Sequence, residues 1–255
     1  MDTDNIIHIA ADAGKLMLEN GGETYRVEQT ISTICKTFEI HNVNSFITPT
    51  TIVISINNNG ETVSTVRRLT GTTVNLKKVS LVADLSERIS NKSIPTSEIE
   101  RELRYISTLP PYRDDTVLIS SMFAAGFFAL LFGGAFRDFF ISFFIGMLIT
   151  LSGRIFKKYN VNSFFTNVCG GFIASSIAVI AHHFNPNFNI DKIIIGAIML
   201  LVPGLLVTNA IRDTLNGDLI SGISRAVEAL IIAVSIAIGT AIGFKLFIFI
   251  LGGTL

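Results

Sequence analysis

The chain is short of charge, of cysteine and of any known catalytic signature. Of its 255 residues 16% are charged, against about 25% in an ordinary soluble domain. Basic and acidic residues number 20 each, so the net charge is zero. With 49% hydrophobic residues as well, these figures exclude a disordered chain and a nucleic-acid binder dominated by basic patches. The two cysteines, Cys35 and Cys169, stand in unrelated contexts with no CxxC or Cys/His spacing. A secreted disulfide scaffold is thereby excluded, and neither a disulfide nor a zinc site is expected. No GxSxG, Walker loop or HExxH occurs, so no catalytic residue is assigned and no metal or organic cofactor is expected. The N-terminus starts acidic and lacks the basic start, apolar core and cleavage site of a signal peptide, which predicts that the first region stays in the cytoplasm.

What the chain has is unevenly spread. Residues 1–115 hold 27 of the 40 charged side chains, whereas 18 of the 20 phenylalanines follow residue 115. This asymmetry predicts a small cytoplasmic α+β domain over 1–115, followed by an all-α membrane domain of five transmembrane helices over 116–255.

In the polar part, Ile6, Ile9, Ala13, Leu16 and Met17 have helical spacing that Gly21-Gly22 ends. A second helix is predicted from Glu23 to Phe38. TTIVISI and ETVSTVRR flank an Asn59-Gly60 turn and read as a β-hairpin, with Val43 to Ile47 as a third strand. Leu81, Leu85 and Ile89 share a helical face. Pro95 introduces a last helix with Ser97 and Glu100 as a capping box, and Pro110-Pro111 stops it. The predicted order is ααβββαα. Gly22, Glu23, Arg26 and Glu28 form either a ligand site or a solvated first turn whose acids suit the helix dipole. Arg67-Arg68 suits an anion or a charged strand end. His8 and His41 stand alone.

In the apolar part, five stretches have the character of spans: Val117 to Gly134, Phe139 to Ser152, Asn162 to Ala181, Ile193 to Ile211 and Ala229 to Leu251. A crossing needs about 20 apolar residues, so the second requires its flanks or a thin, protein-buried path. With the N-terminus inside, inner loops carry five basic residues (Arg154, Lys157, Lys158, Arg212, Arg225) and outer loops two (Arg137, Lys192). The positive-inside rule then places the N-terminus in the cytoplasm and the C-terminus outside. Pro203 cannot donate a backbone hydrogen bond and Gly204 loosens the same turn, which is tolerated in a membrane where protein or water receives the freed groups. The polar residues Asn167, Asn209 and Arg212 complete a candidate substrate path with Pro203 and Gly204. Asp213, Asp218, Arg225 and Glu228 are candidates for gating or proton coupling. Gly239 and Gly243 form a GxxxG that permits close helix approach and is a candidate contact for a partner.

Three stretches carry a family resemblance: GGETYRVEQTI (21–31), RRLTGTTVNLKKVSLVADLSERISNKSIPTSEIERELRYI (67–106) and LVPGLLVTNAIRDTLNGDLISGISRA (201–226). With them the chain resembles the N-terminal half of the threonine/serine exporter family. The resemblance implies export of small carboxylate-bearing metabolites, threonine and serine or a dicarboxylate such as succinate. It also implies a cell-membrane location and a second, smaller multi-span subunit, in the manner of a split succinate exporter. An odd span count fits a partner of inverted topology. The rival is a membrane-anchored cytoplasmic enzyme or sensor.

Overall fold

The computed structural model describes residues 3–58, 61–69, 71–92 and 94–250. The chain folds as two compact units. The first comprises Met1–Pro111 and Leu205–Ala226, and the second comprises Tyr112–Gly204 and Val227–Leu255.

The first unit is built on α1 (Thr3–Glu19), α2 (Thr24–Thr37), the strands β1 (Asn42–Thr48), β2 (Thr51–Asn58) and β3 (Glu61–Arg68), and the helices α3 (Leu76–Asn91) and α4 (Thr96–Thr108). The order ααβββαα is therefore present. The sheet is antiparallel, β1-β2-β3, with Val43 opposite Ile56 and Ile56 opposite Val63. Its period-2 pattern sends Ile52, Ile54 and Ile56 into the core, while Phe46 and Val66 stay exposed. The β2–β3 connection at Asn59-Gly60, expected as the hairpin turn, lies outside the described residues. Helix α1 is buried on most sides, from Ile6 and Ile7 to Met17 and Leu18, and forms the centre of the core.

Two local expectations are corrected. The capping box at Ser97 and Glu100 does not form. Pro95 occupies the cap without a side-chain bond, and Glu100 pairs with Arg104 one turn on. His8 does not stand alone, because the Arg67 guanidinium donates to His8 Nδ1 at 3.1 Å and to Asp12 at 2.8 Å. That pairing makes Arg67 a tie between β3 and α1. Cys35 and Cys169 are free thiols. Burial pushes the Cys35 thiol up to about 11, which removes it as a nucleophile near neutrality.

The second unit contains α5 (Asp114–Leu131), α6 (Phe136–Lys158), α7 (Ser163–Phe184) and α8 (Ile190–Ile198), with the later part of α10 (Leu219–Ile250). Four helices are long and apolar enough to cross a membrane: α5, α6, α7 and α10. The short second stretch is indeed extended by its flanks, giving α6 its 23 residues. The fourth stretch is not one helix. It divides into α8 and α9 (Gly204–Leu215), because Pro203 has no N–H to continue the ladder. The Gly204 N–H instead bonds Val202 O at 2.9 Å.

Close helix approach in this unit rests on glycine. A Cβ at Gly196 would meet the α5 backbone at Ala129 N, 2.7 Å away, and one at Gly171 would meet Ile236 O at 2.5 Å. Gly239 and Gly243 lie against Val168, Phe172 and Ser175 of α7. The GxxxG is therefore consumed inside the chain, which corrects its assignment as a partner contact. The buried Asp138 carboxylate accepts from Ala135 N (2.8 Å), Asn189 N (3.0 Å) and Asn189 Nδ2 (2.8 Å), tying the start of α6 to the cap of α8. His182 donates from Nδ1 to Phe188 O at 2.7 Å.

Candidate functional site

Helix α1 stops because Gly21 adopts φ +93, a conformation that side chains resist. The N–H groups of Gly21 and Gly22 turn back to Leu18 O and Met17 O. A Cβ at Gly22 would meet Met17 O at 2.9 Å, so the chain can reverse this tightly only with glycine there. The reversal presents Gly21 O, Gly22 O, the Glu23 carboxylate and the Thr24 hydroxyl in succession, just ahead of α2.

Each of these four consecutive residues is held by a side chain from α9 or the first turns of α10. Asn209 Nδ2 donates to Gly21 O at 3.2 Å. Arg225 Nη2 donates to Gly22 O at 3.0 Å. Arg212 Nη1 binds Glu23 Oε1. The Thr24 N–H and hydroxyl donate to the two oxygens of Asp213, at 3.2 and 3.1 Å. Arg225 Nε lies 3.2 Å from Asp213 Oδ2, and these two side chains are only 6% and 0% exposed. Farther along, Ser221 Oγ donates to Ile47 O at 3.0 Å, which seats the start of α10 on the end of β1. All of these residues belong to the first compact unit.

The electrostatics follow from burial. A buried Asp–Arg pair is tolerable because each partner also holds hydrogen bonds that replace its lost water. The Glu23 carboxylate, 12% exposed, lies between the Arg212 guanidinium and Arg26 Nε, the latter at 3.8 Å. Glu23 Oε2 is buried with no hydrogen-bond partner among the described residues. Arg212, 60% exposed, and Arg26, 54% exposed, are charged members that solvent reaches readily. Glu28 accepts from Ser45 Oγ at 3.1 Å. The Asp218 carboxyl is raised by burial first, then by the nearby Glu28 and Asp213 carboxylates.

Of the residues singled out in the sequence, the fold thus brings together Gly22, Glu23, Arg26, Asn209, Arg212, Asp213 and Arg225, with Glu28 and Asp218 nearby. Glu23 does not cap α2 with its side chain. Its carboxylate is committed to Arg212. Pro203 and Gly204 mark the interruption before α9. Asn167 and Glu228 belong to the second unit and take no part in this cluster. Thr24 was not singled out, and neither was Asp138. A lone threonine at a helix start carries no signal, though its place directly after GGE in the first motif was available as one.

The arrangement contains no nucleophile–base pair of the kind that nucleophilic catalysis requires. Among the described residues no group of three or more His, Cys, Asp or Glu is placed to hold a metal ion. What the geometry provides is an interlock: two stretches nearly 190 residues apart, closed by one buried ion pair and five bonds to the turn at Gly21–Thr24.

The chain's likeness to known proteins covers nearly its whole length. The family model for threonine/serine exporters matches residues 8–247. A threonine/serine exporter of Corynebacterium glutamicum is 25% identical over 249 residues, covering 94% of this chain and 51% of that protein. A probable threonine/serine exporter of Mycobacterium tuberculosis is 21% identical over 251 residues, covering 96% of this chain and 47% of that one. A Klebsiella aerogenes protein named probable succinate transporter subunit YjjP is 21% identical over 231 residues, 90% of this chain and 89% of its own length. The chain thus spans about half the length of the two exporters. No solved structure matches it significantly. Several helices long and apolar enough to cross a membrane accompany this family match, as in a multi-pass membrane protein. With a family-model match over nearly its whole length, the chain belongs to the threonine/serine exporter family.

Proposed function

We propose that this chain is one subunit of a cell-membrane exporter for small carboxylate-bearing metabolites, threonine and serine or a dicarboxylate such as succinate, working with a second membrane half. The observation that carries the reading is the family match over residues 8–247 in a chain with four helices of membrane-crossing length. The subunit assignment draws support from the likeness to YjjP over 89% of that protein's length. Five crossings are proposed, the fourth being the interrupted pair α8 and α9. The N-terminus is assigned to the cytoplasm and the C-terminus to the outside, by the distribution of basic residues.

Within this reading Arg212 is the member of the interlock suited to a substrate carboxylate, since its guanidinium is exposed and already holds a carboxylate, that of Glu23. Asn209 is assigned to the substrate path with it, and Pro203, Gly204 and Asn167 are the path positions assigned in the second unit. Asp213 and Arg225 act as the gate that opening must break. Asp218 and Glu228 are the carboxyls assigned to proton exchange. The Gly22, Glu23, Arg26 and Glu28 segment is the seat on which that gate closes.

The test is efflux from cells lacking every paralogue. Restoring this chain with its partner should lower the intracellular pool of the substrate and raise its release, and Arg212→Gln should reduce release by about tenfold or more, as expected for loss of one charge-assisted contact. Efflux of threonine, serine and succinate that is the same with and without the chain would overturn the reading.

A further inference from the structure

The second unit is poor in charge, yet four of its basic residues gather at one edge. Arg113 stands at the cap of α5, and Arg154, Lys157 and Lys158 lie in the last two turns of α6. Arg154 Nη2 donates to the Asp114 carbonyl, so the start of α5 and the end of α6 meet there. Arg154, Lys157 and Lys158 follow at i, i+3 and i+4, which places them on one face of α6. The acids at this edge are Asp114 and Asp115, two against four basic residues. Asp115 pairs with Arg113 at 3.4 Å, with side chains 76% and 85% exposed, and a pair so open to water is weak. Among the described residues Arg154, Lys157 and Lys158 have no carboxylate partner. Two of the chain's four tyrosines flank the cluster. Tyr112 and Tyr159 are both exposed, as are Val117 and Ile155 farther into the two helices. Apolar surface, cation and tyrosine in succession are the layers of a membrane–water boundary.

Two ordinary explanations cover only part of this arrangement. Lys157 and Lys158 suit the negative end of the α6 dipole, but Arg113 sits at the positive end of α5, where a cation is disfavoured. The bias of basic residues toward one side of a membrane concerns their number, and does not require them to converge from two helices on one edge. We propose that this edge binds the phosphate of an anionic phospholipid headgroup, held between Arg113 of α5 and Arg154, Lys157 and Lys158 of α6. Guanidinium and ammonium groups both bind phosphate through charge-assisted hydrogen bonds. A zwitterionic lipid carries the same phosphate with its charge cancelled, so an edge of net positive charge favours the anionic lipid. The acyl chains lie along the exposed Val117 and Ile155, contacts that a soluble phosphate lacks. The bound lipid bridges α5 and α6 where the Arg154 bond already joins them. The proposal rests on the membrane location in the exporter reading and requires nothing of transport.

The experiment uses the full chain in nanodiscs of phosphatidylcholine containing a graded fraction of phosphatidylglycerol. The melting temperature should rise with phosphatidylglycerol and saturate at a low mole fraction. Native mass spectrometry should retain phosphatidylglycerol on the chain under conditions that strip phosphatidylcholine. Lys157→Gln combined with Lys158→Gln, both at exposed positions, should weaken phosphatidylglycerol binding by about tenfold or more. The same variant should melt almost as the parent does in pure phosphatidylcholine. Arg137→Gln combined with Lys192→Gln removes the same charge elsewhere in the unit and should keep the parent's response. Equal losses in the two double variants would reduce the effect to net charge and overturn the proposal. So would the absence of a phosphatidylglycerol response, or a response left intact by the changes at Lys157 and Lys158. Glycerol phosphate in solution that reproduced the shift in phosphatidylcholine discs would overturn it in favour of a soluble-anion site. Failure of the exporter reading would appear as unchanged efflux and leave these lipid results untouched.

Discussion

At the scale of single residues, the Asp213–Arg225 pair is the most consequential feature of the first unit. Asp213→Ala would leave the Arg225 guanidinium buried without its counter-charge and the Thr24 hydroxyl without its acceptor. Breaking a buried pair in this way costs about 3–5 kcal/mol, so denaturant unfolding of the variant should show a loss of that order. The double variant Asp213→Leu with Arg225→Met should recover most of it, since an apolar pair of similar volume removes both desolvation terms. Asp218 gives the opposite sign. Its carboxyl is held above the usual carboxylate range by burial and by Glu28 and Asp213. The folded chain therefore holds that proton more tightly than the unfolded chain, and this group's contribution to stability falls as pH rises from the usual range through the raised value. Asp218→Asn should melt higher than the parent at neutral pH, and the difference should vanish once the pH is below the ordinary carboxylate range. A difference that persisted in acid would contradict this account. Such roles were partly legible beforehand. A charged R-D…G-D…G…R run after an apolar stretch stands out in any sequence, but its acceptors at Gly21 and Gly22 are backbone carbonyls, and a carbonyl has no letter in the code.

At the scale of elements, periodicity located the helices and strands of the first unit because each is amphipathic and packs one face into a shared core. Ile52, Ile54 and Ile56 on alternate positions, and Leu85 and Ile89 one turn apart, are buried as their spacing predicts. Caps were read less well. Ser97 lost its capping role because the helix starts two residues earlier, with Pro95 at the cap position. The glycines of α7 and α10 show how one motif has two uses. GxxxG predicts a close helix neighbour, and the neighbour is α7 of the same chain. Gly239→Ala would drive a methyl group into the Val168 carbonyl. Overpacking of this kind costs about 1–3 kcal/mol, and Gly171→Ala, facing Ile236 O across the same seam, should behave alike. Thermal unfolding in detergent should show both variants destabilised, whereas Gly153→Ala, where a Cβ meets nothing within 4 Å, should match the parent.

At the scale of the whole molecule, the prediction concerns partnership. Polar groups and opened turns within apolar stretches need neighbours other than lipid, and the GxxxG that a partner would have used is already occupied within the chain. Reconstituted alone in liposomes, the chain should not move threonine, serine or succinate, and co-reconstitution with a second membrane half should restore movement. Transport by the purified chain alone would show that no partner is needed.

The division into a polar and an apolar part, the order ααβββαα and membership of the exporter family were all determined by the sequence, because composition, period and motif are properties of neighbouring residues. What the tertiary structure alone decided is who meets whom. It joined GGET to the 209–225 stretch, gave the GxxxG a partner within the chain, and turned the fourth apolar stretch into two helices of which the second packs with the polar unit. The physical reason is the same in each case. Hydrogen bonds to backbone carbonyls and the fit of a side chain over a glycine depend on distances across the fold, and nearly 190 residues of intervening chain leave no local trace of them.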